Sequence, residues 1–210
     1  MLSCTLDEIM DIVSSDQEKG QGPKRSANWL GGKDSRTLQA YTGTISSLAR
    51  NAVDMCGGIG DVVEIGTDYG LSTFAMAYAI RWHVKRKVFT FDIRPDTVIN
   101  ARERAKRLGI ETIEFIEGTS FKAADHGYNF CFAYIDGNHS YQGCYDDLCN
   151  LAPLMHEKGI MLCHDLHRAD LPVEKQNGVR TAITTFTNLH KEWSAMQLWG
   201  WGLLGRNLTR

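Results

Sequence analysis

Two short clusters in the chain carry the side chains best suited to chemistry: Asp136-Gly-Asn-His139 and His164-Asp165. An imidazole, with an unperturbed pKa near ~6.5, can take the proton of a hydroxyl at neutral pH, and a nearby carboxylate can orient it. The same residue types also make ligand sets for divalent ions. Two structural readings stay open beside these. His139 could cap the helix that follows it or bond a backbone carbonyl, and His164-Asp165 could be a strand-end pair with no chemical task. Upstream, the segment from Glu64 to Ser72 (Glu-Ile-Gly-Thr-Asp-Tyr-Gly-Leu-Ser) mixes one acid, two glycines and hydroxyls, and Asp92 follows an apolar run. Glycine lets backbone approach a ligand closely, and an acid at the end of a strand can accept hydrogen bonds from a ribose diol.

These residues need a scaffold that gathers them, and the apolar pattern predicts one. Val62–Ile65, Lys87–Phe91, Ile113–Ile116, Phe130–Ile135 and Gly159–Cys163 read as short buried strands. Helical spacing covers Ser72–Trp82, Asp96–Leu108 with Gly109 as its C-terminal cap, Tyr141–Leu154, and the stretch from Val179 to Leu189. Trp193–Arg206 reads as a closing hairpin. Strands alternating with helices predict an α/β fold around a parallel sheet covered on both faces. Each strand then ends in a glycine or an acid at the same edge, which is where ligands bind in open α/β sheets. Ahead of this lie a capping box, Thr5-x-x-Glu8, a glycine-rich stretch Asp16–Asp34, and a helical pattern from Ser35 to about Cys56. The stretch suits a lid, with Trp29 either a substrate contact or the anchor of its own loop.

Composition excludes several classes. With 210 residues, one domain and a terminal extension are expected. Apolar residues at 43% and charged ones at 23% fit a packed core, and the net charge of −2 gives no basic field for nucleic acid or an anionic membrane. The longest apolar run, Phe74–Ile80, is far too short to span a bilayer, and the N-terminus lacks a basic signal region. None of the six cysteines forms a C-x-x-C pair, which suits reduced thiols in the cytoplasm. From Gly66 the dinucleotide fingerprint G-x-G-x-x-G fails at Asp68 and Leu71, and there is no Walker motif. An acidic loop without phosphate-binding glycines suits a cofactor bearing a sulfonium and an amino group. Arg102, Arg104, Lys106 and Arg107 read as a solvated helix face. Asp146 and Asp147 read as solvated helix residues, with a site-facing position for one of them left open. His83, His126, His156 and His190 read as surface groups, His167 as a weaker site candidate, and Trp193, Trp199 and Trp201 as core.

Val62-Val-Glu-Ile-Gly-Thr-Asp-Tyr-Gly-Leu-Ser72, Phe89-Thr-Phe-Asp92, Ile116-Glu-Gly-Thr-Ser120, Tyr134-Ile-Asp-Gly-Asn-His-Ser-Tyr141 and Gly159-Ile-Met-Leu-Cys-His-Asp165 together resemble the class I S-adenosylmethionine-dependent methyltransferases. The closest likeness is to the small O-methyltransferase-type subgroup related to the catechol O-methyltransferase-like enzymes. The resemblance implies a Rossmann-like doubly wound sheet of seven strands, mostly parallel with an antiparallel last strand, formed by residues 60–210, with residues 1–59 as a helical cover. It implies that Glu64, Gly66 and Ser72 hold the methionine end of the cofactor, in a loop with Thr67, Asp68 and Gly70. Asp92 would take the ribose, and Gly118, Thr119 and Ser120 would border the adenine. In metal-dependent members, magnesium is bound by acids at the positions of Asp136, His164 and Asp165. His164 departs from that pattern, leaving a softer divalent ion or no metal. His139 stands where the catechol-type enzymes carry a lysine base. The expectation is a cytoplasmic methyltransferase acting on a hydroxyl of a small-molecule or sugar-like acceptor, with Asp136, His139 and His164 catalytic and no nucleic-acid or membrane partner. A homodimer, an NAD-dependent oxidoreductase and a non-catalytic S-adenosylmethionine-binding module stay open.

Overall fold

The computed structural model describes residues 5–18, 35–126, 129–167 and 176–206. The glycine-rich stretch from Gly20, with Trp29, and residues 168–175 lie outside them. The capping box opens α1 (Leu6–Glu18) as its spacing predicts: the Thr5 N–H donates to Glu8 Oε2 at 2.6 Å, and the Glu8 N–H to Thr5 Oγ1 at 3.2 Å. The long α2 (Ser35–Met55) follows. Then come β1 (Val62–Ile65), α3 (Leu71–Ala79), β2 (Val88–Asp92), α4 (Pro95–Arg107) and β3 (Ile113–Glu117). A 3-10 turn at Ser120–Lys122 runs into the short α5 (Ala123–His126), and β4 (Phe130–Ile135), α6 (Tyr141–Leu151) and β5 (Met155–Cys163) complete the parallel part. The chain closes with α7 (Gly178–Leu189), β6 (Trp193–Leu198) and β7 (Trp201–Arg206).

The seven strands form one sheet in the order β3-β2-β1-β4-β5-β7-β6. The first five run parallel, and β7 is antiparallel to both its neighbours, as the resemblance implies. Strand β5 starts at Met155 rather than Gly159, because a register shift lets Met155 pair with Phe130 before the regular ladder begins at Ile160. β1, β2 and β4 are buried along their whole length, which explains their unbroken apolar runs. On one face Ile9, Val13, Ile45, Phe74 and Ile80 pack the first three helices against the sheet. On the other, Leu148, Leu151, Ile183 and Phe186 seat α6 and α7. Among the described residues no helix is long and apolar enough to cross a membrane, and the described cysteines are all free thiols.

Two expectations fail here for reasons of packing. Arg102, Lys106 and Arg107 are exposed, but Arg104 is 2% exposed. Its guanidinium lies 5.4 Å from the Tyr69 ring centre and donates to the Tyr69 carbonyl, so it props the β1–α3 loop from below. Trp193 and Trp201 are core, whereas Trp199 sits exposed in the β6–β7 turn with φ 54.

The parallel ladder continues past each strand by one bond. Gly66 N–H donates to Phe91 O, Gly118 N–H to Asp92 O, Asp136 N–H to Ile65 O, and His164 N–H to Ile135 O, at 2.8–2.9 Å. The strand tips therefore stand side by side. β1 and β4 are neighbours in the sheet but not in the chain, so a crevice opens between the connections that leave them in opposite directions.

Candidate active site

That crevice is a cavity of about 1080 Å³. Its first wall is the β1–α3 loop, formed by Gly66, Thr67, Asp68 and Ser72. Gly66 has φ 99, and a Cβ there would lie 2.2 Å from the Asp136 carbonyl oxygen, so only glycine lets this loop pass the β4 tip. Glu64 and Gly70, expected in the site, do not line the cavity. Gly70 turns the chain into α3 with φ 85. Glu64 is completely buried under the loop, where its carboxylate accepts from Ser72 Oγ at 2.5 Å, from Thr90 Oγ1 at 2.6 Å and from Thr73 Oγ1. Burial pushes Glu64 up to about 7, with the three hydroxyls opposing the rise. It organises the floor of the loop through these three hydroxyls.

The second wall centres on Asp92, which is 6% exposed. Its Oδ1 accepts from the Arg94 N–H at 3.0 Å and from Arg94 Nε at 3.1 Å. Its Oδ2 accepts from the Asp68 N–H at 3.2 Å and from Arg94 Nη2 at 3.1 Å. Arg94, which the sequence reading did not single out, also reaches Asp68 Oδ1 at 3.2 Å and lines the cavity.

The third wall holds Gly118, Thr119 and Ser120 as expected, together with Asp146, Asp147 and Asn150 of α6. Ser120 Oγ donates to Asp147 Oδ1 at 2.6 Å and accepts from Asn150 Nδ2 at 3.0 Å. Asp147 is thus a buried wall residue, 7% exposed, and not a solvated helix group. Burial pushes it up to about 6, Ser120 pulls the other way, and Asp146 adds to the rise.

At the far end the tips of β4 and β5 bring Asp136, His139, His164 and Asp165 together. The helix-capping reading of His139 fails: Ser140 is the N-cap of α6, its Oγ accepting from the Gly143 N–H at 3.0 Å. His139 Nε2 instead lies 3.1 Å from Asp136 Oδ1 and 3.4 Å from Asp165 Oδ2. His164 Nδ1 lies 3.3 Å from Asp136 Oδ1 and 3.2 Å from Asp165 Oδ1. Asp165 holds a left-handed backbone, φ 55, that aspartate tolerates better than most residues. Tyr134 OH donates to Asp136 Oδ2 at 3.2 Å and shares a 2.7 Å hydrogen bond with Tyr41 OH, which comes from α2. Burial works against charge on His164, but Asp136 and Asp165 overcome it and raise the ring to about 10. Burial alone would raise Asp136 and Asp165 too, yet the facing imidazoles hold Asp136 far below the usual carboxylate range and lower Asp165. His167 is exposed and bonded to Asn177, and like His83, His126, His156 and His190 it lies outside the cavity wall.

Asp136, His139 and His164 each offer a ligand atom, all within 4.8 Å of one another. Magnesium takes a shell of six oxygens, mostly water. Two ring nitrogens beside Asp136 depart from that all-oxygen shell.

A family model described as a methyltransferase domain matches residues 63–166. No curated protein matches the chain. Several solved structures share its architecture. A Podospora anserina methyltransferase bound to S-adenosylhomocysteine is 18% identical, covers 99% of both chains and has a TM-score of 0.63. An O-methyltransferase from Bacillus cereus, in complex with the same molecule, is 16% identical over 96% of this chain and 90% of its own, with a TM-score of 0.66. TomG, an O-methyltransferase of tomaymycin synthesis from Streptomyces achromogenes bound to S-adenosylmethionine, is 14% identical over 98% and 92%, with a TM-score of 0.67. At such identities the likeness is one of fold. Residues 63–166, which carry every strand tip around the cavity, match the methyltransferase domain model, and the chain has the fold of the class I S-adenosylmethionine-dependent methyltransferases.

Proposed function

We propose that the chain transfers the methyl group of S-adenosylmethionine to a hydroxyl of a small-molecule or sugar-like acceptor. The observation that carries this reading is the meeting of two histidines and two carboxylates with the β1–α3 loop in one cavity. In this reading Gly66, Thr67, Asp68 and Ser72 surround the methionine end. Asp92 takes the ribose once Arg94 yields, and Gly118, Thr119, Ser120 and Asp147 border the adenine. Transfer is an in-line displacement: the acceptor oxygen bonds to the methyl carbon as the carbon–sulfur bond breaks, and S-adenosylhomocysteine leaves. The enzyme has to align the two partners and receive the hydroxyl proton. We assign proton uptake to His139, with Asp136 beside its ring and with His164, whose ring already holds its proton, completing the cluster. Tyr41 lines the same cavity from α2, which supports residues 1–59 as a cover that closes over the acceptor.

Calorimetry with S-adenosylhomocysteine tests the cofactor. One site per chain is expected, weakened by Gly66→Ala, and absence of binding would overturn the reading. For the chemistry, His139→Ala is expected to lower turnover most toward low pH; an unchanged profile between about pH 6 and 9 would remove His139 from proton transfer.

A further inference from the structure

The end of the sheet opposite the cavity carries a surface of a different kind. The connection from α3 to β2 runs Arg81-Trp-His-Val-Lys-Arg-Lys87, four cations with no acid between them. The whole-chain charge of −2 hides this local concentration. Two tight turns fix its backbone: the His83 N–H donates to the Ile80 carbonyl at 2.8 Å, and the Arg86 N–H to the His83 carbonyl at 2.7 Å. The segment is also tied to the end of α2. His83 Nε2 lies 3.0 Å from Asp54 Oδ1, and Arg86 Nη1 donates to the Ile59 carbonyl. These ties leave Met55 50%, Ile59 57%, Trp82 57% and Val84 88% exposed at one corner of the molecule. Contrary to the expectation from composition, we infer that this corner docks on an anionic phospholipid surface, with Trp82 and Val84 entering the interface and Arg81 and Lys85 facing the headgroups.

The charges argue for such a surface. Asp54 is taken by Arg50 and His83, Asp61 by Arg86, and Glu114 by Lys87. Arg81 and Lys85, which bracket the two apolar tips, have no carboxylate partner among the described residues. The Arg81 guanidinium lies 3.7 Å from the Tyr78 ring centre and 4.9 Å from that of Trp82, so the cation is held beside the indole. A shallow cleft at Met55 adds Lys158 and Arg206 against Glu157. Shape points the same way. A side chain as exposed as Val84 projects from the surface, and lipid yields around such a tip, whereas a protein partner needs a matching pocket. Indole rings settle at headgroup depth, with basic groups beside them drawn to anionic lipid. Single-stranded nucleic acid would stack on Trp82, but Met55, Ile59 and Val84 offer no ring to further bases.

The corner lies where the strands begin, since Asp61 leads into β1 and Lys87 into β2, while the cavity lies at the strand tips. Docking therefore leaves the cavity mouth open to water, and the inference stands apart from the methyl-transfer reading. To test it, the full chain is sedimented with vesicles of phosphatidylcholine containing about 30% phosphatidylserine, and with vesicles of phosphatidylcholine alone. Binding to the anionic vesicles is expected at about 0.1 M salt, falling at least ~10-fold at about 0.5 M as exposed charges are screened. Trp82→Ala and Lys85→Glu should each weaken it more than ~5-fold, the scale of one basic side chain at an anionic surface. Both side chains are exposed, so the circular dichroism of each variant should match the wild type. No sedimentation with the anionic vesicles, equal sedimentation with phosphatidylcholine alone, or unchanged binding in either variant would overturn the inference. Tighter binding of a single-stranded RNA than of vesicles, lost in Lys85→Glu, would overturn it as well and assign the corner to nucleic acid.

Discussion

Arg94 closes both carboxylate oxygens of Asp92, with Nε 3.1 Å from Oδ1 and Nη2 3.1 Å from Oδ2. The backbone N–H groups of Arg94 and Asp68 add a further donor to each oxygen. An acid at this strand end is the seat of a ribose diol in related folds, and here the seat is already occupied. If Asp92 takes the ribose as proposed, cofactor entry would exchange a guanidinium for two hydroxyls. The Arg94 side chain is 38% exposed, so water can take it up at little cost.

Opposite effects are expected at the two residues. Arg94→Ala removes the competitor and should tighten S-adenosylhomocysteine up to ~10-fold, whereas Asp92→Ala should weaken it ~10–100-fold, the scale of one charge-assisted hydrogen bond. Titration calorimetry on both variants decides the matter. Weaker binding in Arg94→Ala would make the guanidinium a cofactor contact and end the competition account.

Glu64 predicts a loss of stability where the sequence suggested a loss of contact. Its removal leaves Ser72, Thr73 and Thr90 without their shared acceptor inside the core. Glu64→Ala should cost about 3 kcal/mol and lower Tm by roughly 10 °C. Glutamine resembles the protonated carboxyl that burial favours below about pH 7, so Glu64→Gln should cost less than half as much. Thermal unfolding near pH 6 reads both. Equal losses would mean that the hydroxyls bind the ionised form.

The same residue marks the boundary of what a sequence can reveal. Strands such as β1 and β4 are legible because a segment buried on both faces must be apolar throughout, and their ends follow from the polar residues that interrupt them. Which edge gathers Asp92, Asp136 and His164 follows from the parallel order alone. What a side chain does at that edge depends on partners far along the chain. Glu64 is turned inward by hydroxyls from α3 and β2, Asp147 is buried by Ser120, and Arg104 lies under Tyr69. Arg94 is an ordinary surface cation until Asp68 and Asp92 are placed beside it. Tyr41 reads as one more apolar position of a helix, because its hydroxyl finds Tyr134 only after α2 docks.

That docking gives a third prediction. Tyr41→Phe removes one hydrogen bond, leaves Asp136 its Tyr134 donor, and should cost about 1 kcal/mol, or roughly 2–4 °C in Tm. Tyr134→Phe takes the donor from Asp136 and the partner from the Tyr41 hydroxyl, so it should cost about twice as much. Thermal unfolding of the two variants in one buffer checks the order. A larger loss in Tyr41→Phe would show that α2 is held by contacts other than this chain of hydroxyls.

Asp147 ties stability to pH in a direction opposite to that of a salt-bridged acid. Its folded value of about 6 lies above its ordinary 3.8, because burial disfavours the charged form more than Ser120 and its hydroxyl favour it. The folded chain therefore holds this proton more tightly than the unfolded one. The contribution is fully present below about pH 3.8 and is lost as pH rises through 6. A shift of this size corresponds to roughly 2–3 kcal/mol. An asparagine side chain keeps an oxygen to accept from Ser120 without carrying a charge, so Asp147→Asn should match the wild type near pH 4 and exceed it by up to about 2 kcal/mol above pH 6.5. Urea unfolding at several pH values between 4 and 7.5 measures the difference directly. A variant no more stable than the wild type at pH 7 would mean that ionised Asp147 finds compensation in the cavity, with the Asn150 amide as the nearest candidate through Ser120.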